Sequence, residues 1–137
     1  MGLASEFLAR EYLRRRHPQE MDDECWVSTN RREFSGGSEG SNSLGYDFRV
    51  VTARNELYEV KSAQDAGGEF ELTANEIKVA GSAMSEGRRR YRILYVPYVF
   101  DPTRWRVMPL QNPLGEYTRN RFKVVRSGSV RYHLDFR

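Results

Sequence analysis

Two carboxylates and one ammonium near the middle of the chain, Asp47, Glu59 and Lys61, are side chains of the kinds that phosphodiester hydrolysis requires. That reaction needs a hard cation to neutralise charge and activate water. Mg²⁺ at such sites is held by one or two carboxylates together with waters and phosphate oxygens. Asp47 and Glu59 can supply the carboxylates, and Lys61 can orient the attacking water or stabilise charge developing on phosphorus. A bare Asp…Glu-x-Lys pattern also fits a solvent-facing strand with a weak ion pair. The elements that carry these residues therefore decide what the pattern means.

Tyr46 to Val51 and Leu57 to Ser62 are β-rich runs whose short connection reads as a hairpin. Alternation puts Leu57, Glu59 and Lys61 on one face of the second strand and Tyr58, Val60 and Ser62 on the other. Cross-strand pairing can then bring Asp47, at the start of the first strand, close to Glu59. Before the hairpin, Leu3, Phe7, Leu8 and Tyr12 recur at helical spacing up to His17-Pro18, which predicts an amphipathic helix over about Leu3–Arg16. Cys25-Trp26-Val27 reads as a short strand, and residues 35–45 as a loop of small residues. After the hairpin, Phe70-Glu71-Leu72 leads into Thr73-Ala74-Asn75-Glu76, a capping-box spacing that opens a helix toward Gly87. Tyr91–Phe100 reads as a buried strand with Pro97 near its end, Trp105–Leu110 as another, and Phe122–Val125 with Val130–Phe136 as a terminal hairpin.

The order Asp47, Glu59, Lys61 resembles the active-site signature of the PD-(D/E)XK nuclease superfamily. Gly45-Tyr46-Asp47-Phe48, Tyr58–Ser62, Phe70–Glu76, Tyr91–Val96 and the closing Asn112-Pro113-Leu114 together resemble the family named for the C-terminal domain of the plant NO VEIN protein. The resemblance runs from about Gly2 to Leu114. It implies an α/β, restriction-endonuclease-like fold with a central mixed β-sheet flanked by helices. Carried over residue by residue, it makes Asp47 and Glu59 metal ligands, with the Val60 carbonyl as a third, for Mg²⁺ or Mn²⁺. Lys61 becomes the water-orienting or charge-stabilising group and Glu6 the helix-borne acid, with Glu11 a near competitor on the same helix. Asn75 and Glu76 fall in a family block and are candidates for supporting the site, although capping alone explains Thr73 and Glu76.

The other side chains carry less. His17 and His133 have no second ligand at metal spacing, so zinc is not expected. The lone Cys25 fits a buried thiol in a reducing cytosol. Aromatics in β-rich stretches, Trp26, Tyr58, Tyr95, Tyr98 and Trp105, read as core. Residues 35–45 lack the Gly-Lys-Ser/Thr ending of a phosphate-binding loop.

A chain of 137 residues suits one domain, 1–137, and its abrupt entry into a helix at Leu3 suggests excision from a larger protein. A net charge of +3 and clustered arginines, Arg31-Arg32 and Arg88-Arg89-Arg90 among them, suit a polyanion. No run is long and apolar enough for a membrane span. The expectation is a cytoplasmic, metal-dependent nuclease acting on DNA rather than RNA, as a module of a restriction or anti-phage defence system. It could work as a homodimer or with other domains. The competing expectation is a non-catalytic module that keeps the fold and binds nucleic acid or protein.

Overall fold

The computed structural model describes residues 2–28, 44–65, 69–115, 122–126 and 129–133. A four-stranded mixed sheet is built from β1 (Phe48–Val51), β2 (Asn55–Ser62), β4 (Arg89–Val96) and β5 (Met108–Leu110), in that spatial order. β1 and β5 run antiparallel to their neighbours, whereas β2 and β4 are parallel. Helices α1 (Gly2–Arg16) and α2 (Ala74–Glu86) pack against it.

The alternation along β2 sorts its side chains between two cores. Tyr58 and Val60 join Leu94 and Val96 of β4 and Ala9 and Leu13 of α1 in one cluster. Leu57 joins Tyr91, Ile93 and Tyr95 of β4 and Ala80 and Ala83 of α2 in the other. A strand covered on both faces is typical of a parallel pair, because the connection between its strands carries a helix, here α2, onto one face of the sheet. Glu59 and Lys61 share the α2 face with Leu57, as the alternation predicts, so their charges sit between sheet and helix.

A second sheet of three strands, β3 (Glu69–Leu72), β7 (Ser129–His133) and β6 (Phe122–Arg126), runs antiparallel throughout. The terminal hairpin and the run at Phe70–Leu72 are each expected from sequence, and the structure pairs them with each other. Local pattern carries no information about a partner that far along the chain.

Several boundaries differ from the sequence-based expectation. Cys25 closes a 3₁₀ turn, Asp23–Cys25, capped by Asp22, and Trp26 contributes only a single bridge to Phe48 in place of a strand. The strand expected over Tyr91–Phe100 begins at Arg89 and stops at Val96. Pro97 lacks the N–H that would continue the ladder, and the chain turns there. The run from Trp105 is a strand only over Met108–Leu110, and the last strand starts at Ser129, with residues 134–136 outside the described ones. α2 matches its expected capping box and ends on Gly87 at φ 69°, a left-handed position that glycine adopts without strain.

Three of the aromatics read as core, Trp26, Tyr58 and Tyr95, are fully buried. Trp105 is exposed beside Phe100. Cys25 is buried with its thiol pushed up, chiefly by burial.

Candidate active site

Asp47 precedes β1 by one residue, and its backbone is pinned from two sides. Its N–H donates to the Tyr58 carbonyl at 2.8 Å, and its own carbonyl accepts from Val27 N–H at 2.8 Å. With the main chain fixed, the side chain turns along the end of β1, and Oδ2 accepts the Val60 N–H at 2.8 Å. The carboxylate thus takes the ladder position that a longer β1 would have filled. Tyr91 ties down the preceding turn by donating its hydroxyl to the Gly45 carbonyl at 2.9 Å. Gly45 itself has φ 81°, and a Cβ there would lie 2.8 Å from Val79 Cγ2 and 3.2 Å from the Asn75 carbonyl. The turn can approach α2 this closely only because position 45 is glycine.

Glu59 and Lys61 extend from the adjacent strand toward the start of α2. Lys61 Nζ donates to Glu76 at 2.8 Å and 3.3 Å and lies 3.6 Å from Glu59 Oε1. Glu76 is therefore a member of the site as well as the cap of α2, where it also accepts the Thr73 N–H at 3.0 Å. Glu59 is 8% exposed and Glu76 7%. Gly45, Tyr46, Asp47, Glu59, Thr73, Asn75 and Glu76 line a cavity of about 240 Å³.

Three carboxyl groups around one ammonium shape the electrostatics. Burial pushes Asp47 up to about 7, the Glu6 charge adds to that, and the Val60 amide, Glu59 and Lys61 oppose it. Glu59 is raised well above the carboxylate range by burial and then by the charges of Asp47 and Glu76. Burial alone would also raise Glu76, but Lys61, a hydrogen bond from Glu59 and the Thr73 amide together hold it below its ordinary value. Burial pulls Lys61 down, and Glu59, Glu76 and Asp47 outweigh it, so the ammonium is retained above its usual range. Burial and like charge thus favour the protonated forms of Asp47 and Glu59, whereas Lys61 and Glu76 favour each other's charged forms.

Of the two acids on α1, Glu6 turns inward and Glu11 turns outward. Glu6 is 6% exposed and accepts from Trp26 Nε1 at 2.9 Å and from the Ser28 hydroxyl. Glu11 faces outward and pairs with Arg10 and Arg14. Glu6 lies close enough for its charge to act on Asp47. Trp26 and Ser28, which fix Glu6, carry no local sequence signal; only the fold brings them to a residue 20 and 22 positions earlier.

Arg88, Arg89 and Arg90 lie elsewhere. They enter β4 opposite Asn55 and Glu56, roughly 10–13 Å along the strand from Glu59. Arg89 pairs with Glu86 at 3.0 Å and Arg90 approaches Glu56 at 3.9 Å. Arg31 and Arg32 lie outside the described residues.

Among the described residues, no group of three or more His, Cys, Asp or Glu side chains is arranged to hold a metal ion. Asp47 and Glu59 nonetheless form a two-carboxylate set in which both members are pushed up by burial and like charge. A hard divalent cation, commonly bound by one or two carboxylates and otherwise by water and phosphate, relieves that repulsion. The donor chemistry fits the ion.

Fold and site together define an α/β domain with a mixed four-stranded sheet, two covering helices and a carboxylate-rich cavity at the end of its short edge strand. The chain belongs to the family of the NO VEIN protein C-terminal domain, whose model matches residues 5–108. All of Glu6, Asp47, Glu59, Lys61 and Glu76 fall inside that span, whereas Asn112-Pro113-Leu114 lies beyond it. No curated protein and no solved structure matches the chain. Among the described residues no helix is long and apolar enough to cross a membrane.

Proposed function

We propose that this domain is a metal-dependent nuclease of the PD-(D/E)XK type, with the restriction-endonuclease-like fold of that superfamily, hydrolysing DNA phosphodiester bonds. The observation that carries the reading is the crowding of Asp47, Glu59 and Glu76 around Lys61 in a cavity, with Asp47 and Glu59 both held above their ordinary range. Carboxyls displaced by burial and like charge beside a retained ammonium cluster at functional sites.

Asp47 and Glu59 would hold Mg²⁺ or Mn²⁺. The Val60 carbonyl is a further donor, since a residue's N–H and C=O leave a strand on the same side and the Val60 N–H already faces Asp47. The cation supplies charge neutralisation at the phosphate and makes water a better nucleophile. Lys61 presents a positive charge to the anionic transition state, and Glu6 strengthens the negative potential at Asp47 that attracts the cation. Asn75, on the cavity wall, is placed to touch the substrate or its water. Arg88, Arg89 and Arg90 would grip the backbone away from the cut, and Arg31 and Arg32 would add to this. The domain would serve in a restriction or anti-phage defence system, joined to other domains or to a second copy.

The test is cleavage of plasmid and single-stranded DNA with Mg²⁺ or Mn²⁺, comparing wild type with Asp47→Ala and Lys61→Ala under matched thermal melts. Loss of at least about 100-fold in rate for each variant is expected, the scale seen when one transition-state stabiliser is removed. Folded wild type that binds DNA equally well in chelator and never cuts it would instead indicate a recognition module.

A further inference from the structure

Lys61 has a long, flexible stem and three donors, and an ammonium of this kind acts on a transition state only if it is held in place. What holds it is Glu76. Both oxygens of that carboxylate face Nζ, at 2.8 Å and 3.3 Å, across fifteen residues of sequence. Glu76 in turn cannot swing away. Its Oε1 accepts the Thr73 N–H at 3.0 Å, its own N–H donates to the Thr73 hydroxyl at 3.2 Å, and the side chain is almost wholly buried.

A capping glutamate on an ordinary helix has no need of a cation and stays half in solvent. Here one carboxylate closes the first turn of α2 and also anchors an ammonium from the central strand. Glu59, the nearer residue in sequence, makes the longer contact, at 3.6 Å. A carboxylate that is itself to hold a cation is poorly suited to anchoring Lys61 as well. Glu76, which also accepts a hydrogen bond from Glu59, holds Nζ with both of its oxygens, whereas Glu59 reaches Nζ only at the longer distance.

We propose that Glu76 is the positioning residue of Lys61, setting where its ammonium stands relative to Asp47 and Glu59; the effect on rate rests on the nuclease reading. Capping and positioning separate experimentally because glutamine is also accepted at this place in a capping box. Glu76→Gln keeps an oxygen at the Oε1 position, which serves both the Thr73 N–H and Lys61 Nζ, but removes the negative charge and turns an NH₂ group toward the ammonium in place of Oε2. The variant should melt close to wild type and cleave about 10- to 100-fold more slowly, the range for losing a residue that orients a working group. In a Lys61→Ala background the same change should slow cleavage no further. Wild-type cleavage by Glu76→Gln, or a loss that multiplies with that of Lys61→Ala, would overturn the proposal.

If Glu76→Gln does not fold, Glu76→Asp carries the test, since it keeps the charge and withdraws it by one methylene. It should slow cleavage in the wild-type background alone. If wild type does not cut DNA at all, the nuclease reading fails by itself. The pairing is then read from urea midpoints of Lys61→Ala, Glu76→Gln and the double variant, where non-additive shifts support it and additive ones reject it.

Discussion

Glu56 and Glu59 stand three residues apart on β2 and face opposite sides of the sheet, and their surroundings have opposite charge balance. On the α1 side, Glu56 accepts from the Tyr58 hydroxyl and has His17 Nε2 at 3.7 Å and Arg90 at 3.9 Å. One carboxylate there faces a hydroxyl donor, an imidazole and a guanidinium. On the α2 side, Glu59 meets Asp47 and Glu76, with Glu6 behind Asp47 and Lys61 the one close cation among the described residues. The Glu56 side is thus balanced in charge, although His17 Nε2 is buried there without a hydrogen-bond partner among the described residues. A cluster left with excess charge of one sign is costly to bury, and that cost persists where the missing charge arrives with a ligand.

The contrast is broken most sharply at Asp47. Its carboxyl titrates at about 7 when folded against 3.8 as its ordinary value, so between those pH values the folded state binds more protons than the unfolded state. Stability from this group is therefore fully present below about pH 4 and is lost as pH rises through about 7. Asp47→Asn removes the titration and should make the metal-free protein more stable, by on the order of a few kcal/mol in denaturant melts at about pH 8. Wild type should regain stability there with millimolar Mg²⁺ or Mn²⁺, by more at about pH 8 than at about pH 6, because cation and proton compete for one carboxyl. The variant should lose that response. A melt of Asp47→Asn that follows the wild-type pH profile would mean the carboxylates are not in excess.

Glu56 should behave in the opposite way. Glu56→Ala leaves the buried Tyr58 hydroxyl without its acceptor and should cost about 1–3 kcal/mol of stability. The stabilisation by divalent cation, measured as the melt shift at about pH 8, should stay at the wild-type size. A reduced shift would show that the two faces of β2 are coupled, and the division into a structural and a functional cluster would then fail.

Much of this contrast was legible from types and spacing. Period-two alternation placed Glu59 and Lys61 together on one face, and the short loop after Val51 brought Asp47 back to β2. The capping box located α2 to the residue, because its signal is wholly local. Glu76 was harder, since a complete local explanation, the cap, concealed a second role that exists only when α2 lies over β2. Trp26 and Ser28 gave no signal, because a donor to a buried acid is defined by where the acid is. The counterpart cluster was also invisible, since Glu56, His17 and Arg90 come from three elements whose meeting depends on the parallel pairing of β2 with β4.

The smallest expected effect separates two uses of Arg90. Its side chain is 40% exposed and its contact with Glu56 is long, so it is a weak, screened ion pair. Arg90→Ala should cost no more than about 0.5 kcal/mol in urea melts. If the arginines entering β4 serve a nucleic acid, the same variant should weaken DNA binding evenly across sequences. It should also make the slope of log affinity against log salt shallower by about one, with the cation response unchanged. Stability and salt slope both at wild-type values would leave Arg90 as an ordinary solvated charge, and would move the search for the DNA backbone contacts to the end of β2 that carries Glu59.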